Sequence, residues 1–247
     1  MTIDIFIASI PRDYTFLHYC IRSIKKYVTG YRKIHVVIPP WAHPTRPKDL
    51  ALPVEWHTEV SGVGLGYITK QATVIRAYSY TDAEYIMFLA CDHIARESVD
   101  IVRDYFEDGK PQLWYRTFDA VRRLSPDAIG INSMAAKWQM PAMNALGFEC
   151  PYFTLEFQPI VHHRSTVLGA AARMEQVTRR SVEAYANSLM YPGFGEYLVL
   201  GNYAMLRNSA LYTMKESDPS YRYKFYGYLS YDGVSQELRD DFEELLK

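Results

Sequence analysis

The sequence predicts an α/β fold built on a mainly parallel sheet. Three observations predict it. Short apolar runs recur at residues 3–10, 34–38 and 85–91, each with the length and continuity of a strand buried on both faces. Amphipathic helical spacing occupies the stretches between them. The third run ends in Asp92, and an acid at the carboxyl end of a buried strand stands where open α/β sheets bind their ligands.

Residues 3–10 read as the first strand, broken by Pro11, with Asp13 placed to cap the next helix. Leu17, Ile21, Ile24 and Val28 then share one helical face, and Gly30 ends that helix. Ile34-His35-Val36-Val37-Ile38 is a second strand. Residues 39–53 are rich in proline and read as a loop. Residues 54–60 suggest a third strand. Gly62, Gly64 and Gly66 form a loop, and Ile68, Ala72 and Ile75 mark a helix over 67–80. The run from Tyr85 to His93 is the fourth strand. Strands alternating with helices point to a parallel sheet.

Beyond residue 110 the pattern is less regular. Residues 112–115 and 152–161 have strand character, and 126–150 are mixed between Gly130 and Gly147. One long helix is predicted over 164–189, where Val167, Ala171, Met174, Val182, Tyr185 and Leu189 share a face and Pro192-Gly193 stops it. Leu238, Phe242, Leu245 and Leu246 define a C-terminal helix with an acidic outer face. There is no internal repeat and no linker-like segment, so residues 1–247 read as a single domain.

Composition narrows the function. The chain of 247 residues is 49% hydrophobic and 22% charged, enough for a substantial core. A net charge of -1 supplies no global attraction for nucleic acid or anionic membrane. The basic pairs Arg122-Arg123 and Arg179-Arg180, with 21 Tyr, are the only hint of a nucleic-acid partner. Cys20, Cys91 and Cys150 form no C-x-x-C pair, which argues against zinc and against a disulfide framework, and for a reducing compartment. With no basic leader and no apolar run of membrane-spanning length, the expectation is a cytoplasmic protein without a membrane span. The Gly62–Gly66 run lacks the spacing of a dinucleotide fingerprint and has no following G-K-[ST].

Several segments carry a resemblance. The first strand with its Ala8-Ser9-Ile10-Pro11 exit, Tyr19-Cys20-Ile21-Arg22-Ser23-Ile24, Val36-Val37-Ile38-Pro39, and Gly66-Tyr67 through Lys70-Gln71 into Tyr85–Asp92 resemble nucleotide-sugar glycosyltransferases of the GT-A type. Gly195-Glu196-Tyr197-Leu198 with Gly201-Asn202-Tyr203 is similar to a motif of a poorly characterised bacterial and viral group of such proteins. The resemblance spans most of the chain in order. It implies a GT-A-like, Rossmann-like sandwich with helices on both faces of the sheet. It also implies a nucleotide-sugar-binding half over 1–110 and an acceptor-binding half over 111–247. The reaction it implies is sugar transfer to an acceptor hydroxyl.

The resemblance also assigns roles. Asp92 aligns with the second acid of the family's D-x-D element, while Ala90 stands where the first acid belongs. A divalent cation, Mn²⁺ or Mg²⁺, is therefore expected on Asp92, with His93 as a second ligand. Ala8, Ser9, Arg12, Lys70, Gln71, Cys91 and Asp92 are the expected nucleotide-sugar-binding residues. Glu196 is the candidate general base, and Tyr197, Asn202 and His163 are candidate acceptor contacts. The acceptor itself is open among polysaccharide, small metabolite, protein and modified DNA base. Each residue also has a plain structural reading. Asp92 can cap a turn, Glu196 can cap a helix, His93 can lie in a loop beside a strand end, and His163 can pack at a helix start. Arg12, Lys70 and Gln71 can be surface residues. A nucleotidyltransferase, or a non-catalytic relative that lost its chemistry with Ala90, are the competing functions.

Overall fold

The structure, a computed structural model, describes residues 1–45, 54–59, 66–124, 131–154, 159–216, 224–228 and 233–247. The chain opens with strand β1 (Ile3–Ala8), a short 3-10 turn, and helix α1 (Tyr14–Tyr27). β2 (Val28–Thr29), β3 (Lys33–Ile38), β4 (Val54–Thr58), α2 (Gly66–Ile75) and β5 (Tyr85–Phe88) follow. Next come β6 (His93–Ala95), β7 (Val99–Asp100), α3 (Ile101–Tyr105), β8 (Phe106–Glu107), β9 (Lys110–Thr117), α4 (Phe118–Leu124) and α5 (Ile131–Leu146). The remainder is β10 (Tyr152–Phe153), β11 (Ile160–His163), α6 (Arg164–Thr178), α7 (Val182–Asn187), α8 (Glu196–Arg207), β12 (Thr213–Glu216), β13 (Phe225–Gly227) and α9 (Gln236–Leu245).

The central sheet has the order β11-β5-β1-β3-β4. β1, β3, β4 and β5 are parallel, and only β11 runs against its neighbour β5. The fold is thus α/β with a mixed, mostly parallel sheet flanked by helices. Alternation divides the core. Ile3, Ile5 and Ile7 pack with Leu17, Ile21, Ile24 and Phe242 on one face, under α1 and α9. Phe6, Ala8, Ile86 and Phe88 pack on the other, with Ile75, Met174, Leu198 and Leu200. Because every strand residue of β1 and β5 is buried on one face or the other, the pattern reads as a continuous apolar run rather than an alternation. Among the described residues, no helix is long and apolar enough to cross a membrane.

The strand order places the site. From β1 the chain moves one way across the sheet to β3 and β4. It then returns to lay β5 on the other side of β1. Between β1 and β5 the direction of progression reverses, and the carboxyl edge at such a switch leaves a crevice for ligand.

Several elements differ from expectation: Val28, expected on the first helix, opens β2, and the strand expected over 152–161 is divided between β10 and β11, which lie in different sheets. The strand expected over 85–93 stops at Phe88, because a turn closed by His93 N–H donating to the Ala90 carbonyl (3.1 Å) redirects the chain into β6. The helix expected over 164–189 is two helices. Arg179 takes the left-handed conformation (φ 56°) that ends α6, and Ser181 Oγ accepts from Ala184 N–H to start α7. The mixed stretch before Cys150 contains α5, which carries Pro141 inside it and ends before Gly147 (φ 68°). Asp13 stands at the cap position of α1, but its side chain makes no capping hydrogen bond. The glycine run lies outside the described residues except for Gly66, which opens α2.

Candidate functional site

Two strand ends form the floor of the crevice. Ser9 follows β1, is buried, and is tied to β3 by its N–H donating to the Val37 carbonyl (3.0 Å). Cys91 follows β5, is buried, and its thiol is pushed up to about 12, chiefly by burial, with Lys70 and Ser9 opposing. It is therefore a neutral thiol at physiological pH. Asp92 is half-buried beside it. Burial alone would raise its carboxyl, but a hydrogen bond from His93, with the charges of His93 and Lys70, holds it below the ordinary value. His93 Nδ1 lies 3.2 Å from Asp92 Oδ1.

Helix α2 delivers a cation to this floor. Burial would lower the Lys70 amine, but Cys91, Asp92, Glu196 and Asp13 together raise it. The closest ionic partner of Asp92 is His93 and that of Asp13 is Arg12 (3.3 Å), so Lys70 meets these acids through the field.

Helix α8 delivers the second carboxylate. Gly195 precedes it in the left-handed region (φ 64°), with Trp138 packed too close for a side chain there. The turn before it is held at one carbonyl. Pro192 O accepts from Gln71 Nε2 (3.0 Å) and from Trp138 Nε1 (2.9 Å), and Gln71 Oε1 accepts from Phe194 N–H (3.1 Å). At Gly193 (φ 80°) any Cβ would collide with Gln71 Oε1. This strap fixes where Glu196 emerges. Glu196 is buried, and burial raises its carboxyl despite the backbone N–H, Lys70 and Gln71. Tyr197 is buried next to it, its hydroxyl pushed well up by burial and by Glu196, with Tyr67, Asp92 and Cys91 adding to the shift.

The structure thus brings together Ser9, Lys70, Cys91, Asp92, His93, Glu196 and Tyr197, with Ala8 buried at the end of β1. Arg12 is exposed at the rim, paired to Asp13. Gln71 is fully buried and spent on the strap, so it positions Glu196 rather than meeting a ligand.

Two expected acceptor contacts have their side chains engaged within the fold. The Asn202 amide is wholly used in tying α8 to β10: Nδ2 donates to the Tyr152 and Leu198 carbonyls (2.8 and 2.9 Å), and Oδ1 accepts from Tyr152 N–H (3.1 Å). His163 pairs in register with Tyr85, at the amino end of β5, and its ring accepts from Ser165 N–H to cap α6 (3.2 Å). It lies at the wrong end of β5 to meet Asp92.

Residues that sequence reasoning missed also belong here. Asp13 has the sequence position of a cap, yet its buried carboxylate acts on Lys70 and Cys91. Its position two residues after a strand-ending Pro11 was the available signal. Tyr67 packs against the exposed Tyr191 (5.5 Å) and acts on Tyr197, the neighbour of Glu196 in the chain. Outside this group, Glu59, just past the edge strand β4, is buried with a carboxyl raised to about 7, mainly by burial. A hollow lined by Phe148, Glu149, Pro151, Leu206 and Arg207 lies at the opposite end of α8 from Glu196 and holds none of this chemistry.

No protein-family profile matches the chain, and no curated protein matches it significantly.

Proposed function

We propose that the chain is a GT-A-type glycosyltransferase that moves a sugar from a nucleotide-sugar donor to an acceptor hydroxyl. The observation that carries this reading is the convergence of Asp92, Lys70 and Glu196 at the carboxyl edge of the sheet, at the switch between β1 and β5. The strand ends at Ala8, Ser9 and Cys91 form the floor for the nucleotide. Lys70, with Arg12 at the rim, supplies positive charge for the donor diphosphate.

Asp92 and His93 would hold a divalent cation. The donor chemistry fits: an ionised carboxylate oxygen and an imidazole nitrogen stand 3.2 Å apart. An oxygen and a nitrogen suit Mn²⁺ better than Mg²⁺, which demands near-ideal oxygen geometry. When bound, such an ion neutralises charge growing on the leaving diphosphate. Glu196 takes the proton of the acceptor hydroxyl as its oxygen attacks the anomeric carbon, and the bond from that carbon to the diphosphate oxygen breaks. Burial raises the Glu196 carboxyl towards working pH, which improves it as a base. Tyr67 and Tyr191, packed on one another, offer apolar ring faces for sugar or acceptor.

The test is a thermal-shift screen of UDP-, GDP-, ADP-, CMP- and dTDP-sugars, each with Mn²⁺ and with EDTA. A metal-dependent shift with one nucleotide supports the reading and names the donor. No shift with any donor overturns it in favour of a non-catalytic relative, with Ala90 in place of the first acid as the reason. Released product then separates two chemistries: a nucleoside phosphate marks sugar transfer, and pyrophosphate marks nucleotidyl transfer.

A further inference from the structure

A second polar cluster lies on the Phe6 face of the sheet at its β3–β4 edge. His35 Nδ1 is 2.9 Å from His57 Nε2 and 3.5 Å from Glu55 Oε2. These ligand atoms all lie within 4.8 Å of one another. His35 is on β3, and Glu55 and His57 are on β4, the edge strand. Register explains the meeting: His35 pairs with Glu55, and Val37 with His57, so all these side chains share one face.

The other nitrogen of His35 decides what the cluster can do. His35 Nε2 is 2.9 Å from Asp4 Oδ2. Asp4 is fully buried and accepts two hydrogen bonds from the Arg32 guanidinium (3.0 and 2.7 Å) and one from Thr81 Oγ1. An ionised carboxylate can only accept, so His35 carries its proton on Nε2 and turns the Nδ1 lone pair towards His57 and Glu55. A carboxylate that fixes the tautomer and ring of a histidine is the usual support behind a metal ligand. Glu55 is oriented as well: Lys33 binds Oε1 at 2.6 Å and leaves Oε2 facing His35. Glu55 is exposed and His57 half-buried, so solvent reaches the cluster.

We propose that His35 Nδ1, His57 Nε2 and Glu55 Oε2 form a binding site for a borderline transition-metal cation, Zn²⁺ by preference, that clamps the edge strand β4 to β3. Two nitrogens and one oxygen, with a fourth position left to water, are a zinc donor set and a poor one for Mg²⁺ or Ca²⁺. Without metal, His57 donates Nε2–H to His35 Nδ1. On binding, His57 moves that proton to its own Nδ1, so both imidazoles bind neutral and no proton is lost. The ligand nitrogens separate to about 3.3 Å, the spacing set by tetrahedral Zn–N bonds of about 2.0 Å. β4 is at the edge of the sheet, with β3 as its one strand neighbour among the described residues, so it yields to a shift of that size. Three strand steps, about 14 Å, separate β4 from β5, so this ion would stand apart from the Asp92 site.

The full chain, stripped with EDTA and dialysed, is titrated with Zn²⁺ by calorimetry and with Co²⁺ by visible absorbance. His57→Ala, Glu55→Gln and Asp92→Asn are run alongside, each checked by circular dichroism. The expected result is one Zn²⁺ equivalent with four-coordinate cobalt bands and a melting rise of about 5 °C at a hundredfold excess over Kd. Mg²⁺ should produce none of these. His57→Ala should lose that equivalent, Glu55→Gln should weaken it more than tenfold, and Asp92→Asn should keep it. Retention of the equivalent in His57→Ala, or its loss only in Asp92→Asn, would overturn the proposal. Absence of any Zn²⁺ equivalent in the wild-type chain would do the same. If His57→Ala fails to fold, Glu55→Gln decides, because its exposed position leaves the core untouched.

Discussion

The two polar clusters on this sheet are built on opposite principles. Around Asp4, charges and donors meet at hydrogen-bond distance: Arg32, His35 and Thr81 all bond the one buried carboxylate. Around Asp92, the acids Asp92, Glu196 and Asp13 act on Lys70 through the field, while Asp92 and Asp13 pair with their chain neighbours His93 and Arg12. A paired buried charge is a structural commitment, and removing one partner strands the others. A cation held near acids through the field, as Lys70 is, is ready to meet a ligand's charge. Each cluster draws on buried carboxylates, Asp4 in one and Asp13 and Glu196 in the other, so pairing distinguishes them better than burial does.

The comparison is most directly broken by mutation in the paired cluster. Asp4→Ala should destabilise the fold by about 3 kcal/mol, because it leaves His35 Nε2 without its acceptor and Arg32 with the exposed Asp82 alone. Urea unfolding checks this, and a loss under about 1 kcal/mol would show that the network is not a structural anchor. Its pH dependence has a definite sign. Burial would raise Asp4, but His35, Arg32 and Thr81 hold it far below the ordinary carboxylate range. Its contribution is therefore present above the unfolded pKa of about 3.9 and is lost as pH falls.

Glu196→Gln should do the reverse: transfer falls by roughly 100-fold or more, while stability and donor binding stay near wild type. Steady-state rates with donor calorimetry measure both, and near-normal turnover would make Glu196 a helix-start carboxylate only. In the wild type, the rising limb of the pH–rate profile should lie above the ordinary glutamate value of about 4.3, because burial raises this group. Gln should abolish that limb.

A smaller effect sharpens the role of the strap. Gly193→Ala forces a side chain into a left-handed position occupied by Gln71 Oε1. It should lower kcat about tenfold by displacing Glu196, with KM for donor little changed, since small misplacements of a catalytic group carry penalties of that order. A fall in donor affinity instead would relocate Gln71 to the donor site.

The smallest expected effect concerns Glu59. Its pKa of about 7 exceeds the unfolded value, so its contribution favours the fold below the unfolded pKa and is lost as pH rises through about 7. Glu59→Gln should therefore raise stability at about pH 8 by roughly 1–2 kcal/mol and change little at about pH 4. Melting curves at the two pH values read the difference directly.

Much of the sheet was legible from local pattern. Apolar runs at Ile3–Ala8 and Tyr85–Phe88 announce buried parallel strands, because no alternative local structure removes so many apolar groups from water in so few residues. Glu196 and Asp92 stand out as acids in apolar surroundings. Other features were hidden. The break at Arg179 depends on a backbone angle that the apolar periodicity of Val167 to Tyr185 runs straight across. Asn202 and Gln71 have side chains suited to ligands, and only their partners reveal that the backbone has claimed them. His163 resembles a site residue because sequence does not say which end of β5 it will face.

By itself, then, the sequence determined the layered α/β class, the order of β1, β3, β4 and β5 with the helices between them, and the presence of acids at strand and helix ends. Those come from short-range rules: hydrophobic period, turn residues and caps. Tertiary structure decided the strand order that places the switch between β1 and β5. It decided that Lys70 and Glu196 arrive at Asp92, and that His57 meets His35 across an edge. These are meetings between residues far apart in the chain, and they are set by register and packing, which no local spacing encodes.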